Sequence, residues 1–481
     1  MHSTHADPDH FARFQASLAR TDLIDHLREG LIGESTMVPG PNGAHPMIYA
    51  DYVASGRALT QVEHFVTSEI LPFYANSHTE ASYCGQMMTR LRKQARQIIL
   101  NACGGDQRHA VIFTGSGATA GLNRCVGLLG VSGWAKDGAR PLVLIGPYEH
   151  HSNILPWREC GAEVVEIPEA PTGGPDLAAL QTALKAGAGR PMLGAFSAAS
   201  NVTGIVTDVA AVTDILKSHG AKSVWDYAGG GPYLPIDMAA GMDAVVVSPH
   251  KFIGGPGASG VLILRRDAVA VDVPTLPGGG TVRFVSPWAH DYSEDVVARE
   301  EGGTPNVVGD IRAALCFMVK DAIGATMFEE RLEQLRQRAL AVWSNTPGLH
   351  IYGNSNAAQV LPIFSFGVAD GAGGTVHQQL VTRILSDHFG IQARGGCACA
   401  GPYAHRLLGI DADQSKAMRG AILAGREIEK PGWTRLGFSV LMSDEKADRI
   451  ISAVDAIARA PQDYVLGYTM DESTARFSPA A

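Results

Sequence analysis

The sequence is poor in the features that mark several classes of protein. Its seven cysteines are few for 481 residues, odd in number, and only Cys397 and Cys399 lie close together. That excludes a disulfide-stapled secreted domain. A lone pair with no second pair is also a poor structural metal site, and no metal is expected. No uninterrupted apolar run approaches the roughly 20 residues that span a bilayer, so no membrane partner is expected. The opening "MHSTHADPDHFARF" has no positive segment followed by an apolar one, so it does not read as a secretory signal and a cytoplasmic location is expected. His2, His5 and His10 read as a solvated tail. No long Lys/Arg run stands out, and the formal net charge of -9 argues against a nucleic-acid partner. Internal repeats and low-complexity tracts are absent.

What remains is an ordinary globular composition, with 46% apolar residues over a length that suits two or three domains. Residues 1–45 read as an arm, with one helical pattern across "FARFQASLARTDLIDHLREGL" that breaks at "GPNGAHP". "PMIYADYVAS" reads as a short strand. From about Leu91 strand-like and helical segments alternate as far as "GVLILRRD", the pattern of a mainly parallel sheet wrapped by helices. This α/β domain is placed at 46–309. A smaller α+β C-terminal domain follows at 310–481, with helices over "MFEERLEQLRQRALAVW", "VHQQLVTRILSDHFG" and "DEKADRIISAVDAIARA" and strands over "QVLPIFSFGV" and "TRLGFSVLM". The tail after Pro461 reads as polar surface.

Chemistry-bearing residues recur at the exits of the expected strands. Lys251 follows "AVVV", Asp226 follows "SVW", His150 follows "PLVLIGPYE" and Asn201 follows "GAFSAAS"; the turn "TGSGAT" follows "AVIF". In open parallel sheets ligands gather at the carboxyl ends of strands. Taken singly, each residue has an ordinary reading: a surface lysine, a capping aspartate, a turn asparagine, a packed histidine. Together they suit pyridoxal phosphate (PLP). Its aldehyde needs a lysine, its ring nitrogen a carboxylate, its ring face a flat partner such as His150. Its phosphate needs backbone N–H groups at a helix start, which Ala118 and Thr119 offer.

The stretches "YADYVASGRAL", "TGSGATAGLN", "YEHHSNILPW", "SNVTGIVTDV", "WDYAG", "SPHKFIGGPGASGVL", "EGGTPN", "RGGCACAGP" and "TRLGFSV" carry a family resemblance. From about Tyr49 to Ala460 the chain resembles fold-type I PLP enzymes of the class V aminotransferase group. It is most similar to the cysteine desulfurase/selenocysteine lyase family. The resemblance implies a set of roles. Lys251 forms the Schiff base, His150 stacks on the ring, and Asp226 pairs with the ring nitrogen. Asn201 lies near the ring oxygen and the substrate carboxylate. Thr119, Ser248 and His250 bind the phosphate. Thr304 reaches the phosphate of a neighbouring subunit, which implies a homodimer. Arg435 clamps the substrate's α-carboxylate, a task suited to its planar fork.

The family's nucleophile loop runs Arg, four residues, Cys-Ala-x-Pro. Here Arg394, "GGCA" and "CAGP" put Cys399 in the nucleophile's place, with Cys397 as an extra thiol. Arg394 lies near the substrate and favours the thiolate. The implied reaction takes sulfur from L-cysteine, leaves alanine and a Cys399 persulfide, and passes the sulfur to an acceptor protein. The resemblance also admits a selenocysteine or β-lyase, an aminotransferase or an epimerase, and a non-catalytic sulfur-transfer partner. Two departures bear on the choice: Gly229 stands where the family has glutamine, and His78 lacks the arginine that usually follows it.

Overall fold

A computed structural model describes residues 9–77, 80–136 and 140–480; His2, His5 and His78 lie outside them. The chain gathers into two compact units, each built from discontinuous stretches.

The first unit takes residues 1–32, 56–130 and 231–325. The strand Gly260–Arg265 pairs antiparallel with both Ala244–Val247 and His109–Gly115. The alternation of elements predicted a mainly parallel sheet, and here the chain departs from it. The glycine-rich loop that joins Val247 to Gly260 forms only the single turn Pro249–Lys251 and no crossover helix of the kind a parallel neighbour needs. The chain therefore turns straight back. The helix Gly117–Leu128 starts at once where the strand His109–Gly115 ends. The helices Tyr83–Ala102 and Val307–Ile323 pack against one another.

The arm at the start of this unit is two helices, His10–Leu18 and Leu23–Glu29, where one was expected. The first begins where the Asp9 carboxylate accepts the Ala12 N–H. His10 is no tail residue: it is 4% exposed and its Nδ1 lies 2.8 Å from Glu69. A hairpin of Val282–Val285 and His290–Tyr292 was not foreseen; it presents Phe284, Val285 and Trp288 to solvent, the last 91% exposed.

The second unit takes residues 33–55, 131–230 and 326–481. Four strands run parallel in the order Glu163–Glu166, Leu142–Ile145, Met192–Ser197 and Lys222–Asp226. All but the first are almost wholly buried runs, as a sheet covered on both faces requires. A second, antiparallel sheet orders Leu349–Tyr352, Ile363–Val368, Trp433–Gly437 and Arg394–Gly396. The apolar faces of Gln378–Phe389 and Asp444–Arg459 bury Ile384, Leu385, Ile450 and Val454 in one core with Trp343, Phe364 and Phe438. The segment after Pro461 is less detached than expected, since Tyr468 and Phe477 pack on that core. Among the described residues no helix is long and apolar enough to cross a membrane.

Candidate active site

The first unit supplies a cradle for an anion. The strand His109–Gly115 ends in a left-handed turn, with Gly115 at φ +78° and Gly117 at φ +61°. The helix that follows points its first N–H groups at the turn. Ser248, 3% exposed, accepts the Ala118 N–H at 2.9 Å. A side chain on Gly117 has no room: its Cβ would stand 2.9 Å from Ser248 Oγ and 3.0 Å from the His250 ring. Gly260 is held bare in the same way, because its Cβ would meet the Gly117 backbone at 2.5 Å. A helix start, a hydroxyl and an imidazole thus converge on a space kept open by glycine, and this donor set fits the phosphate end of PLP.

Ala118, Ser248 and His250 lie together around the turn, with Thr119 exposed on the first helical turn. Lys251 sits half-buried in the single turn Pro249–Lys251, whose backbone closes through Lys251 N–H to Ser248 O at 3.0 Å. Burial, followed by the neighbouring Lys251 charge, lowers the His250 pKa. Thr304 is exposed on the loop ahead of Val307–Ile323. Behind that loop Glu301 accepts from Arg92, from Arg96 and from the Phe113 N–H, each at 2.7 Å. A single acid thereby ties the Thr304 loop to the strand that leads into the Gly115 turn.

The second unit holds the other candidates. Asp226 ends its strand, 4% exposed, and its Oδ1 accepts the Ala228 N–H at 2.7 Å. Close by, the buried Glu149 accepts from Ser197 N–H, Ser197 Oγ and Asn153 Nδ2. Burial raises its pKa to about 7, and the Asp226 charge adds to the rise. His150 is half-buried, with Nδ1 accepting the Ser152 N–H at 3.1 Å. That bond fixes the ring's orientation.

Arg435 is 4% exposed and Arg394 is exposed; they face one another as cross-strand partners. Two like charges so placed repel, and Asp51 separates them. Its Oδ1 lies 3.1 Å from Arg435 Nη2 and its Oδ2 lies 2.9 Å from Arg394 Nε. Arg435 also donates to Asn201 O at 3.1 Å. Asp51 had no assigned role in the sequence. Its signal was an acid inside the otherwise apolar "IYADYV".

The cysteine turn follows directly on Arg394–Gly396. Asn201 Nδ2 donates to Ala398 O at 2.9 Å, His151 N–H donates to Cys399 O at 2.8 Å, and Gly401 N–H donates to His151 Nε2 at 2.9 Å. Cys399 is exposed and Cys397 half-buried. Cys103, Cys125 and Cys316 are buried, and burial pushes each thiol up to about 12. Such thiols are inert.

The family model for class-V aminotransferases matches residues 48–449. A probable cysteine desulfurase of Vibrio cholerae is 28% identical over 421 residues, 85% of this chain and 93% of that protein. A cysteine desulfurase of Klebsiella pneumoniae is likewise 28% identical, over 86% of this chain and 94% of that one. Among solved structures, the apo cysteine desulfurase of Thermococcus onnurineus superposes with a TM-score of 0.74 at 24% identity, over 91% of this chain and 98% of that one. The fold is the α/β fold of type I PLP enzymes.

Proposed function

The chain belongs to the class-V aminotransferase family, whose members use PLP, and from that premise we propose that it removes sulfur from L-cysteine to give alanine and a Cys399 persulfide. One observation carries the reading. The buried Arg435, paired with Asp51, donates to Asn201 O, and Asn201 in turn donates to Ala398 O in the turn that carries the exposed Cys399 thiol. This joins a carboxylate clamp to a nucleophile.

Bound PLP supplies an electron sink for bonds at an amino acid's α-carbon. Lys251 would anchor it, Ala118, Thr119, Ser248 and His250 would hold its phosphate, and Asp226 and His150 would meet its ring. The Lys251 amine would take and return the substrate's α-proton. Arg435 grips the α-carboxylate through its two parallel donors. The Cys399 thiolate attacks the substrate sulfur: an S–S bond forms, the C–S bond breaks, and a proton closes the alanine methyl group. The sum is cysteine plus thiol giving alanine plus persulfide, with no outside oxidant. The reading includes a homodimer in which Thr304 meets the partner's cofactor, a thiol acceptor protein for the sulfur, and a cytoplasmic setting.

Purified protein with L-cysteine and dithiothreitol is expected to release alanine and sulfide in equal amounts. Cys399→Ala should lose at least a hundredfold, and Lys251→Ala all turnover. Undiminished turnover in Cys399→Ala removes the persulfide from the reaction. Gly229 favours one second reading. A Cβ there would stand 3.2 Å from Ala199 O and 3.6 Å from Asn201 Cβ, so the chain passes close to Asn201 with no side chain at the place where the family carries glutamine. The loss of that side chain suits a different amino acid undergoing β-elimination, for which the Cys399 variant stays active.

A further inference from the structure

The turn that carries Cys399 holds a second thiol for which the reaction above has no use. Both thiols are free. Cys399 stands out in solvent, whereas Cys397 packs against a buried cluster containing Val202, Tyr403 and Trp433. The Ala400 N–H closes the turn on Cys397 O at 3.1 Å. Ala398 and Cys399 both adopt left-handed backbone, at φ 53° and 56°. In a coil of helical pitch, residues two apart have Cα atoms about 5.4 Å from one another. Two cysteine sulfurs can meet when their Cα atoms lie roughly 4.4–6.8 Å apart. A turn of that pitch brings the two Cα atoms into the range from which the sulfurs can meet, with Cys399 outward and Cys397 sheltered.

We infer that Cys397 is a second sulfur carrier that receives the sulfur from Cys399. The inference rests on the Cys399 reading above. In the step, the Cys397 thiolate attacks the outer sulfur of the Cys399 persulfide. A new S–S bond forms at Cys397, the bond to Cys399 breaks, and Cys399 leaves as a thiolate while the outer sulfur keeps its proton. The exchange is a two-electron displacement that needs no oxidant or reductant. Its consequence is countable. Cys399 is free again, so one chain accepts a second sulfur before any acceptor arrives.

The test is a burst experiment on the PLP-loaded enzyme, with L-cysteine and no reductant. Alanine is counted per chain, and alkylated persulfides are located by tandem mass spectrometry. The relay requires about two alanines per wild-type chain, with a persulfide on Cys397. It requires about one in Cys397→Ser and in Cys397→Ala, both checked for retained cofactor absorbance. One alanine per wild-type chain, with sulfur on Cys399 alone, overturns the relay and leaves the desulfurase reading intact. Two sulfurs stacked on Cys399, or a Cys397–Cys399 disulfide with free sulfide, also overturn the relay. No alanine at all overturns both.

Discussion

Two turns in this chain use left-handed backbone, and they use it differently. At Gly115 and Gly117 the positive φ falls on residues with no Cβ, inside a cradle that Ser248 and His250 close. At Ala398 and Cys399 it falls on residues that pay about 1–2 kcal/mol each for it. The glycine turn keeps its shape unaided. The alanine–cysteine turn keeps it while Asn201 and His151 grip its carbonyls. The turn proposed to hold a resident phosphate is built from residues at rest. The exposed thiol proposed to carry sulfur sits on a conformation that has energy to release.

Breaking the cysteine side alone should have the largest effect. Asp51→Ala leaves the buried Arg435 without its counter-charge, at an expected cost of about 4 kcal/mol in urea unfolding. The KM for L-cysteine should rise by more than kcat falls, and the cofactor should stay bound. The acid behind His150 tests whether the second unit has fixed parts of its own. Glu149 is raised from its ordinary value to about 7, so the folded state binds its proton more tightly than the unfolded one. Stability is then fullest below pH 4.5 and falls by roughly 3 kcal/mol as the pH climbs to 7. Glu149→Gln should flatten that slope in unfolding curves taken across the range.

On the glycine side, Gly117→Ala adds strain of about 1–2 kcal/mol and crowds Ser248 and His250. PLP retention, followed by absorbance during dialysis, should fall at least tenfold. The smallest effect sharpens the contrast. Ala398→Gly relieves the strained φ but gives back chain entropy, for a net gain under about 1 kcal/mol. A loss of stability there would mean that the turn is not strained.

Much of this was legible because strand exits are local. Asp226 ends its strand and Lys251 sits in the turn after its own, as the apolar runs before them implied. The helix Asp444–Arg459 follows its 3.6-residue stripe. Partnerships across the chain were not legible. Asp51 meets arginines 343 and 384 residues away. His10 looked like tail because Glu69 lies 59 residues on. The antiparallel return at Gly260–Arg265 was missed because a buried strand has the same apolar run in either direction.

The hairpin that holds Trp288 to the solvent has a practical consequence. Trp157, Trp225, Trp343 and Trp433 are all buried, and Trp134 is half-buried. Collisional quenching by acrylamide therefore reports chiefly on one indole. Any surface that seats on the hairpin, a second copy of the chain included, will darken that signal's response as the protein is concentrated, giving an optical titration of self-association that needs no label.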